Sequence, residues 1–275
     1  MRGRHRPLRG DGGPVTAHRT PRRSLKQRLA DGEQLRGALL RLPSETLVEM
    51  AGVAGFDYVV IDCEHGPADT ALLQQHLTAA AAQGTDVLVR VGSAEPALAL
   101  RCLDLGAAGL IFPHVDSHED AARAVAASHY APWGERGFAT YSRAGRFGTV
   151  TAADHVAASR ETLVVAMVET RRACEDAEAI LGTEGVDAVL VGPADLAVDC
   201  GFPGAGVVEG LTARAHDAAR AHKRAVMTIV PSLDAGRTAE RQGAQLVLYN
   251  MAHVLMDTMR ALAGPGTTDA ADAPA

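Results

Sequence analysis

Eight short apolar segments recur along the chain, and each is followed by polar residues and a stretch rich in Ala and Leu. The apolar runs are unbroken rather than alternating, which is the pattern of parallel strands covered on both faces. A glycine turn precedes several of them, and glycine there supplies the left-handed residue that ends a helix before a strand. The runs are Gly37–Pro43, Tyr58–Glu64, Asp86–Val91, Gly109–Val115, Leu163–Glu169, Ala188–Pro193, Ala225–Val230 and Leu246–Asn250.

Strands that alternate with helices in this number, within about 250 residues, predict a (β/α)8 TIM barrel. The alternative is a doubly wound open sheet, which usually carries a GxGxxG turn after its first strand. No such turn follows the run Gly37–Pro43. We therefore expect one α/β domain, a (β/α)8 barrel, over residues 27–263.

The two ends of the chain differ in composition from the body. Residues 1–26 carry eight Lys or Arg against one acid, although the whole chain has a net charge of -6. This arm is rich in Gly and Pro and lacks apolar periodicity, so we predict that residues 1–26 are disordered. The closing segment, residues 264–275, is predicted to be a second disordered tail.

Composition also limits the cellular compartments and the classes of binding partner that suit this chain. The acidic body is unsuited to nucleic acid, and no apolar run is long enough to cross a bilayer. The four cysteines are far apart and form no CxxC pair, which is typical of reduced thiols. We expect a cytoplasmic protein that binds neither nucleic acid nor membrane.

Polar residues follow most of the predicted strands at their carboxyl ends. In a barrel these ends form the rim that carries the active site. A cation, histidines and several carboxylates at one rim indicate a functional site rather than a packing layer. These residues are Asp62, Glu64, His65, Arg90, His114, Glu169, Asp195 and Asn250.

Two of the carboxylates are candidate metal ligands. Glu169 follows six apolar or small residues, and burial of its charge without a partner is costly. Asp195 follows the next strand, where a helix begins. Two carboxylates on neighbouring strand ends suit a hard divalent ion such as Mg²⁺ or Mn²⁺. The alternatives are that Asp195 is only a helix N-cap and that Glu169 is only an ion-pair partner of Arg90.

Arg90 and His65 are candidates for the chemistry itself. Arg90 interrupts an apolar strand, so its guanidinium is expected at the barrel mouth, where it can bind a carboxylate or an oxyanion. A structural ion pair is the alternative. His65 lies on the loop after the second strand and is a candidate general base, the alternative being a capping or packing role. His114 also ends a strand, but the sequence indicates no partner for it.

Asp104 lies in the last turn of the predicted helix 96–105, where the helix dipole disfavours a carboxylate. Its charge therefore needs compensation. Either Arg101 supplies it and the pair is structural, or a histidine across the barrel does. In the second case Asp104 would orient His65 and raise its basicity.

Several ordered segments together resemble one known family. The chain is similar to the 4-hydroxy-2-oxoheptanedioate aldolase (HpcH/HpaI) family of metal-dependent pyruvate aldolases over about residues 37–262. The segments are AGFDYVVIDCEHGPAD, VLVRVGSAEP, LDLGAAGLIFPHV, YAPWGERG, RFGTV, VAMVETRRA and EGVDAVLVGPADLA.

The resemblance implies a barrel, usually in a homohexamer that exchanges its last helix between neighbours. It implies a divalent ion, Mg²⁺ or Mn²⁺ with Co²⁺ as a further option, bound by Glu169 and Asp195. The implied roles of the remaining residues are as follows: His65 is the base, Asp104 supports it, Arg90 stabilises the transition state, and Asp195 and the backbone of Ala194 contact the substrate.

The resemblance has one departure. The family's substrate-contacting glutamine, two residues before the metal-binding glutamate, is Met167 in this chain. A thioether donates no hydrogen bond and accepts only weakly. Substrate orientation beside the metal is therefore expected to differ.

The expected reaction is reversible cleavage of a 4-hydroxy-2-oxoacid to pyruvate and an aldehyde, with a small-molecule oxoacid as the binding partner. A first alternative is decarboxylation of oxaloacetate, or another lyase reaction through the same enolate. A second alternative is a barrel that binds an oxoacid without catalysis. The expected reaction and the first alternative, which are both catalytic, require the charged residues of the rim to converge, and a structure can test this.

Overall fold

The computed structural model describes residues 23–66, 69–92, 95–204 and 206–264. Eight parallel strands close into a barrel in sequence order, and the last strand pairs with the first. The predicted (β/α)8 barrel is therefore confirmed. The strands are β1 (Leu35–Leu40), β2 (Tyr58–Asp62), β3 (Asp86–Arg90), β4 (Gly109–Phe112), β5 (Leu163–Val168), β6 (Ala188–Val191), β7 (Ala225–Val230) and β8 (Leu246–Asn250).

Helices connect the strands and cover the outside of the barrel. Two short 3₁₀ helices, Arg146–Gly148 and Ser159–Glu161, lie in the long connection before β5. None of the described helices is both long and apolar enough to span a bilayer. The α-helices are α1 (Leu25–Ala30), α2 (Glu45–Val53), α3 (Thr70–Gln83), α4 (Pro96–Asp104), α5 (His118–Ser128), α6 (Ala152–Ala158), α7 (Arg171–Glu175), α8 (Ala177–Leu181), α9 (Pro193–Asp199), α10 (Val207–Ala221), α11 (Leu233–Arg241) and α12 (Met251–Ala263).

The first helix begins inside the arm that the sequence predicts to be disordered. Ser24 caps α1 by accepting a hydrogen bond from the backbone of Gln27, and the side chain of Leu25 is buried. Leu25 and Leu29 pack against the apolar interior of the barrel, so α1 closes its amino-terminal end. The ordered domain thus starts slightly before residue 27, while the predictions for residues 1–22 and 265–275 lie outside the described residues.

The unbroken apolar runs have a direct structural reason. Alternate residues of each strand face the barrel axis, where Val60, Leu88 and Val165 belong to one interior cluster. The residues between them, such as Val59 and Val89, pack against the surrounding helices in a second cluster. Both faces of the strands are therefore mainly apolar up to the rim, with exceptions such as Arg36 of β1 and Thr228 of β7.

Gly37 of β1 leaves the space that the Tyr58 ring fills inside the barrel. A Cβ atom at Gly37 would lie 2.2 Å from Cε2 of Tyr58, which is much closer than real contacts allow. Tyr58 is fully buried and has no room to move outward. The missing side chain at residue 37 is thus a packing requirement.

We predict that Gly37→Ala lowers the free energy of unfolding by about 1–3 kcal/mol, because the added methyl overpacks the interior. Gly210→Ala is the control. Gly210 is exposed in α10, and its new Cβ would meet no atom within 4 Å. The control should gain about 0.5–1 kcal/mol from helix propensity. Urea denaturation measures both values, and equal stability of the two variants would contradict the packing argument.

Candidate functional site

The rim residues point into the barrel mouth because of strand periodicity. Side chains on a strand alternate between two faces. Asp62 continues the inward row of β2, Arg90 continues that of β3, and Glu169 follows Met167 on β5. The three charged side chains therefore lie one step above the apolar interior, on neighbouring or nearby strands.

Arg90 is fixed by a two-pronged ion pair with Asp62. Its Nε and Nη2 atoms lie 3.0 Å and 2.5 Å from the two carboxylate oxygens. Arg41 adds a contact of 2.8 Å to the same carboxylate. Burial tends to raise the pKa of Asp62, but the bonds from Arg90 and Arg41 outweigh it and lower the pKa. One alternative from the sequence was that Glu169 forms a structural ion pair with Arg90. In the structure, Asp62 forms this ion pair.

The remaining edge of the Arg90 guanidinium faces the mouth of the barrel. Its Nη1 atom lies 3.2 Å from Oε2 of Glu64 and 3.7 Å from the sulfur of Met167. A thioether is a weak acceptor. This edge therefore keeps donor capacity for an anionic ligand, while the other edge is occupied by Asp62.

Glu169 is deeply buried, with 3% of its surface exposed, and His114 fixes one of its oxygens. Oε1 of Glu169 accepts from the backbone N–H of His114 at 2.8 Å, and Nδ1 of the same histidine lies 2.9 Å away. His114 adopts a left-handed backbone conformation with a φ of 54°. Such a conformation is unfavourable for a residue with a side chain. His114 thus directs its backbone N–H and its Nδ1 at one oxygen of Glu169, while its Nε2 lies 3.4 Å from Oε1 of Glu64.

The second oxygen of Glu169 faces the end of β6. A Cβ atom on Gly192 would lie 2.9 Å from Oε2, so glycine leaves room for the carboxylate. Asp195 follows in the first turn of α9 and is exposed. Gly192 is the N-cap of that helix. The alternative that Asp195 serves as the N-cap is therefore wrong.

The charge around Glu169 is unbalanced among the described residues. Burial raises the pKa of Glu169, the contacts with His114 oppose the rise, and the nearby carboxylates of Asp195 and Glu64 add to it. Acids that crowd a buried carboxylate create a site for a cation. Ligand atoms of Glu64, His114 and Glu169 all lie within 4.8 Å of one another. Among the described residues this cluster contains Glu169 but not Asp195, its partner predicted from the sequence, and the two carboxylates and the imidazole of the cluster fit a divalent ion.

His65 lies at the same rim, on the loop after β2. Its backbone N–H donates to Asp62 at 3.2 Å, and 54% of its side chain is exposed at the mouth. Nε2 of His65 lies 3.8 Å from Oε2 of Glu64. The imidazole is therefore accessible to a ligand in the barrel mouth.

A model of the HpcH/HpaI aldolase/citrate lyase family matches residues 38–251. The chain is also 40% identical over 184 residues to a pyruvate aldolase of Rhizobium etli, an alignment that covers 67% of this chain and 72% of the relative. The chain belongs to the HpcH/HpaI family. A hydroxypyruvate/pyruvate aldolase of Agrobacterium fabrum is 41% identical over 186 residues, covering 67% of this chain and 69% of the relative.

A solved structure extends the match across the whole barrel of this HpcH/HpaI family member. The HpcH/HpaI aldolase/citrate lyase family protein from Burkholderia cenocepacia superposes with a TM-score of 0.82 at 35% identity. The match covers 87% of this chain and 97% of that chain. The resemblance deduced from the sequence motifs is therefore confirmed.

Asp104 is the predicted site residue that this chain does not bring to the rim. Helix α4 runs from the mouth back toward the start of β4, so its last residue, Asp104, lies at the opposite end of the barrel from His65. Its carboxylate accepts from Nη2 of Arg136 at 2.7 Å, and the Arg136 guanidinium lies over the ring of Tyr130. Arg136 therefore compensates the carboxylate, rather than Arg101 or His65 of the same chain.

Sequence reasoning about this HpcH/HpaI family member left several contacts unassigned. Glu64 was counted at the rim without a role, yet it links the surroundings of Arg90, His65 and His114. His114 was left without a partner. The available signal was strand order, since β4 and β5 are adjacent and end in His114 and Glu169, respectively.

We predict that Asp62→Asn lowers the free energy of unfolding by about 3 kcal/mol or more, because it breaks a buried ion pair and leaves Arg90 short of a counter-charge. Asp217→Asn is the control, since its ion pair with Arg220 is exposed. The control should change stability by less than about 1 kcal/mol. Chemical denaturation at neutral pH measures both.

The same comparison has a defined pH dependence. The folded-state pKa of Asp62 is lowered, so its stabilisation is present above the unfolded value of about 4 and is lost as pH falls through the folded value. The stability difference between wild type and Asp62→Asn should therefore shrink in acid below about pH 4. A difference that stays constant down to acid unfolding would contradict this ionic origin.

Proposed function

We propose that this protein is a divalent-metal-dependent aldolase that cleaves a 4-hydroxy-2-oxoacid reversibly to pyruvate and an aldehyde. The observation that carries the proposal is the buried carboxylate of Glu169, which faces further acids on one side and lies across the mouth from Arg90. An anionic oxoacid needs cationic groups at such a site. Arg90 supplies one, and a metal ion would supply the other.

The proposed ligands are Glu169 and Asp195, and the proposed ion is Mg²⁺ or Mn²⁺, with Co²⁺ as an alternative. Because His114 contacts Oε1 of Glu169, Oε2 on the Gly192 side is the oxygen left for an ion. Hard divalent ions prefer oxygen donors, which favours the two carboxylates over a site completed by imidazole. When bound, the ion supplies positive charge that polarises the substrate's keto group.

The substrate's own charges are proposed to be bound by Arg90 and by the first turn of α9. The Nη1 edge of Arg90, which also contacts Glu64, can donate to an oxygen on which negative charge develops as the carbon–carbon bond breaks. Its orientation needs no reorganisation, since Asp62 fixes it in advance. The backbone at Ala194 and the carboxylate of Asp195 flank the other side of the mouth and are proposed to contact the bound oxoacid and its ion.

His65 is proposed as the proton acceptor for the 4-hydroxyl group in the cleavage direction. An imidazole exposed at the barrel mouth can reach a ligand there and accept its proton. In the reverse, aldol direction, the same imidazole returns the proton to the new alkoxide. The R. etli relative is named for pyruvate, and the A. fabrum relative is named for hydroxypyruvate and pyruvate. Pyruvate and hydroxypyruvate are therefore the candidate nucleophiles of the aldol direction.

Metal removal and a ligand substitution test the function. Wild type should release pyruvate from a racemic 4-hydroxy-2-oxoacid with Mg²⁺ or Mn²⁺, and EDTA should abolish release. Glu169→Gln should weaken metal binding about 10- to 100-fold or more, measured by titration with Mn²⁺. Glu178→Gln, at an exposed residue of α8, is the matched control. Full turnover after complete chelation would overturn the metal-dependent mechanism.

The same preparation separates cleavage from decarboxylation. Loss of CO₂ from oxaloacetate has no hydroxyl proton to remove, so it does not need the proposed base. His65→Ala should therefore lose aldol cleavage by about 100-fold or more while retaining any oxaloacetate decarboxylation. Equal loss of both activities would remove the proton-acceptor role from His65.

We further propose that the protein is a homo-oligomer, a hexamer by resemblance to its family, and that it acts in the cytoplasm, where its free cysteines stay reduced. Helix α12 supports the oligomer, because it contains no buried residue. Met256, Met259 and Leu262 expose apolar surface on it, and Leu262 is 83% exposed. A cavity of about 510 Å³ opens beside this helix, lined by Phe56, Tyr249 and others. A second copy could cover this surface.

The oligomer would also give Asp104 its proposed role. Within one chain Asp104 and His65 lie at opposite ends of the barrel, so Asp104 can support His65 only from another copy. Mixing His65→Ala with Asp104→Ala subunits should then restore activity that neither variant has alone. Mixing His65→Ala with Glu169→Gln is the control and should restore none, because both residues belong to the same chain's mouth. No recovery in the first mixture, with mixed oligomers verified by mass, would leave Asp104 a structural partner of Arg136.

A further inference from the structure

Met167 forms the floor of the site between the two groups proposed to bind the substrate. It is the inward residue of β5 directly below Glu169, and 2% of its surface is exposed. Its sulfur lies 3.7 Å from Nη1 of Arg90. A Cβ atom on Gly192 would lie 2.9 Å from its terminal methyl and 2.9 Å from Oε2 of Glu169. The thioether therefore extends from the guanidinium to the carboxylate.

This floor offers almost nothing to a hydroxyl group. A thioether sulfur accepts hydrogen bonds weakly, and its methyl group neither donates nor accepts. Val165 lies below it on β5 and Leu190 lies beside it on β6, and both are apolar. A substrate methyl pressed against this surface gains packing, whereas a hydroxyl there gives up water without a replacement.

An oxoacid bound between Arg90 and an ion at Glu169 would lie across this floor. Its oxygens would be bound by Arg90 and by the ion at Glu169. Its carbon chain would then be the part that contacts Met167. The guanidinium edge next to the sulfur is the one left free by Asp62. The third carbon of the oxoacid, which is bonded to the keto carbon, would therefore lie close to the thioether.

We propose that Met167 makes the site select an oxoacid whose third carbon carries no hydroxyl, so that pyruvate is preferred over hydroxypyruvate as the nucleophile. In the cleavage direction the same contact favours a 4-hydroxy-2-oxoacid with an unsubstituted third carbon. The inference rests on the proposed function, because it requires an oxoacid bound between Arg90 and Glu169.

Calorimetric titration without any aldehyde isolates this contact from turnover. Pyruvate and hydroxypyruvate are titrated separately into the Mg²⁺-loaded protein, for wild type, Met167→Leu and Met167→Gln. Wild type and Met167→Leu should bind pyruvate about 10- to 100-fold more tightly than hydroxypyruvate. Met167→Gln supplies an amide that can donate to the hydroxyl, and should bring the two affinities within about 3-fold.

Three outcomes decide the inference. A wild-type protein that binds both oxoacids equally well overturns it and leaves the proposed function intact. A ratio unchanged in Met167→Gln, with an unaltered far-ultraviolet spectrum and melting temperature, also overturns it. Should Met167→Gln fail to fold, Met167→Ser takes its place, because its hydroxyl can also bond the substrate hydroxyl and should narrow the same ratio. Binding of neither oxoacid by folded wild type, together with no pyruvate release in the assay above, overturns the proposed function and this inference with it.

Discussion

The buried charge of Glu169 is the constraint on which the rest of the site depends. Placing a carboxylate at the end of an apolar strand, with 3% of its surface exposed, is unfavourable unless positive charge or donors surround it. His114 supplies donors to one oxygen only, and it does so from a left-handed backbone. Asp195 and Glu64 make the electrostatics worse rather than better. Among the described residues no Lys or Arg forms an ion pair with Glu169, and this supports the proposal that a cation from solution binds here.

Asp62 shows the opposite solution to the same problem at the same rim. It is as buried as Glu169, but Arg90 and Arg41 neutralise it, and its pKa falls while that of Glu169 rises. The two acids therefore have separate tasks. Asp62 orients an arginine and keeps it charged, whereas Glu169 remains available for an ion. One edge of the Arg90 guanidinium binds Asp62. The other edge lies beside Met167 and faces the mouth, so the proposed substrate site borders the apolar floor.

The sequence was sufficient to predict the barrel, because a parallel strand buried on both faces leaves an unbroken apolar run that few other folds produce. It also placed Arg90, Glu169 and His65 at one rim, since each follows an apolar run at its carboxyl end. Contacts across strands were harder to predict. Asp62 rather than Glu169 pairs with Arg90 because β2 and β3 are adjacent and in register at these residues, and register is not written in either strand alone. The contact of His114 with Glu169 is hard to predict for a similar reason, because the backbone conformation of His114 turns it back onto the neighbouring strand.

Asp104 illustrates a limit that follows from barrel topology. Every helix of a (β/α)8 barrel returns from the rim to the opposite end, so a residue in a helix's last turn is about one strand length from the active site of its own chain. The helix dipole argument correctly predicted that Asp104 needs compensation, and Arg136 provides it from the long connection before β5. A helix dipole does not determine how far the compensating charge lies from the active site. Any contribution of Asp104 to chemistry must therefore cross between molecules, and the exposed apolar side chains of α12 are the surface on which the proposed assembly would form. For the same reason, the residues of one chain that can contact a substrate in its own barrel are those of the rim. They lie at the strand ends and on the loops that follow them.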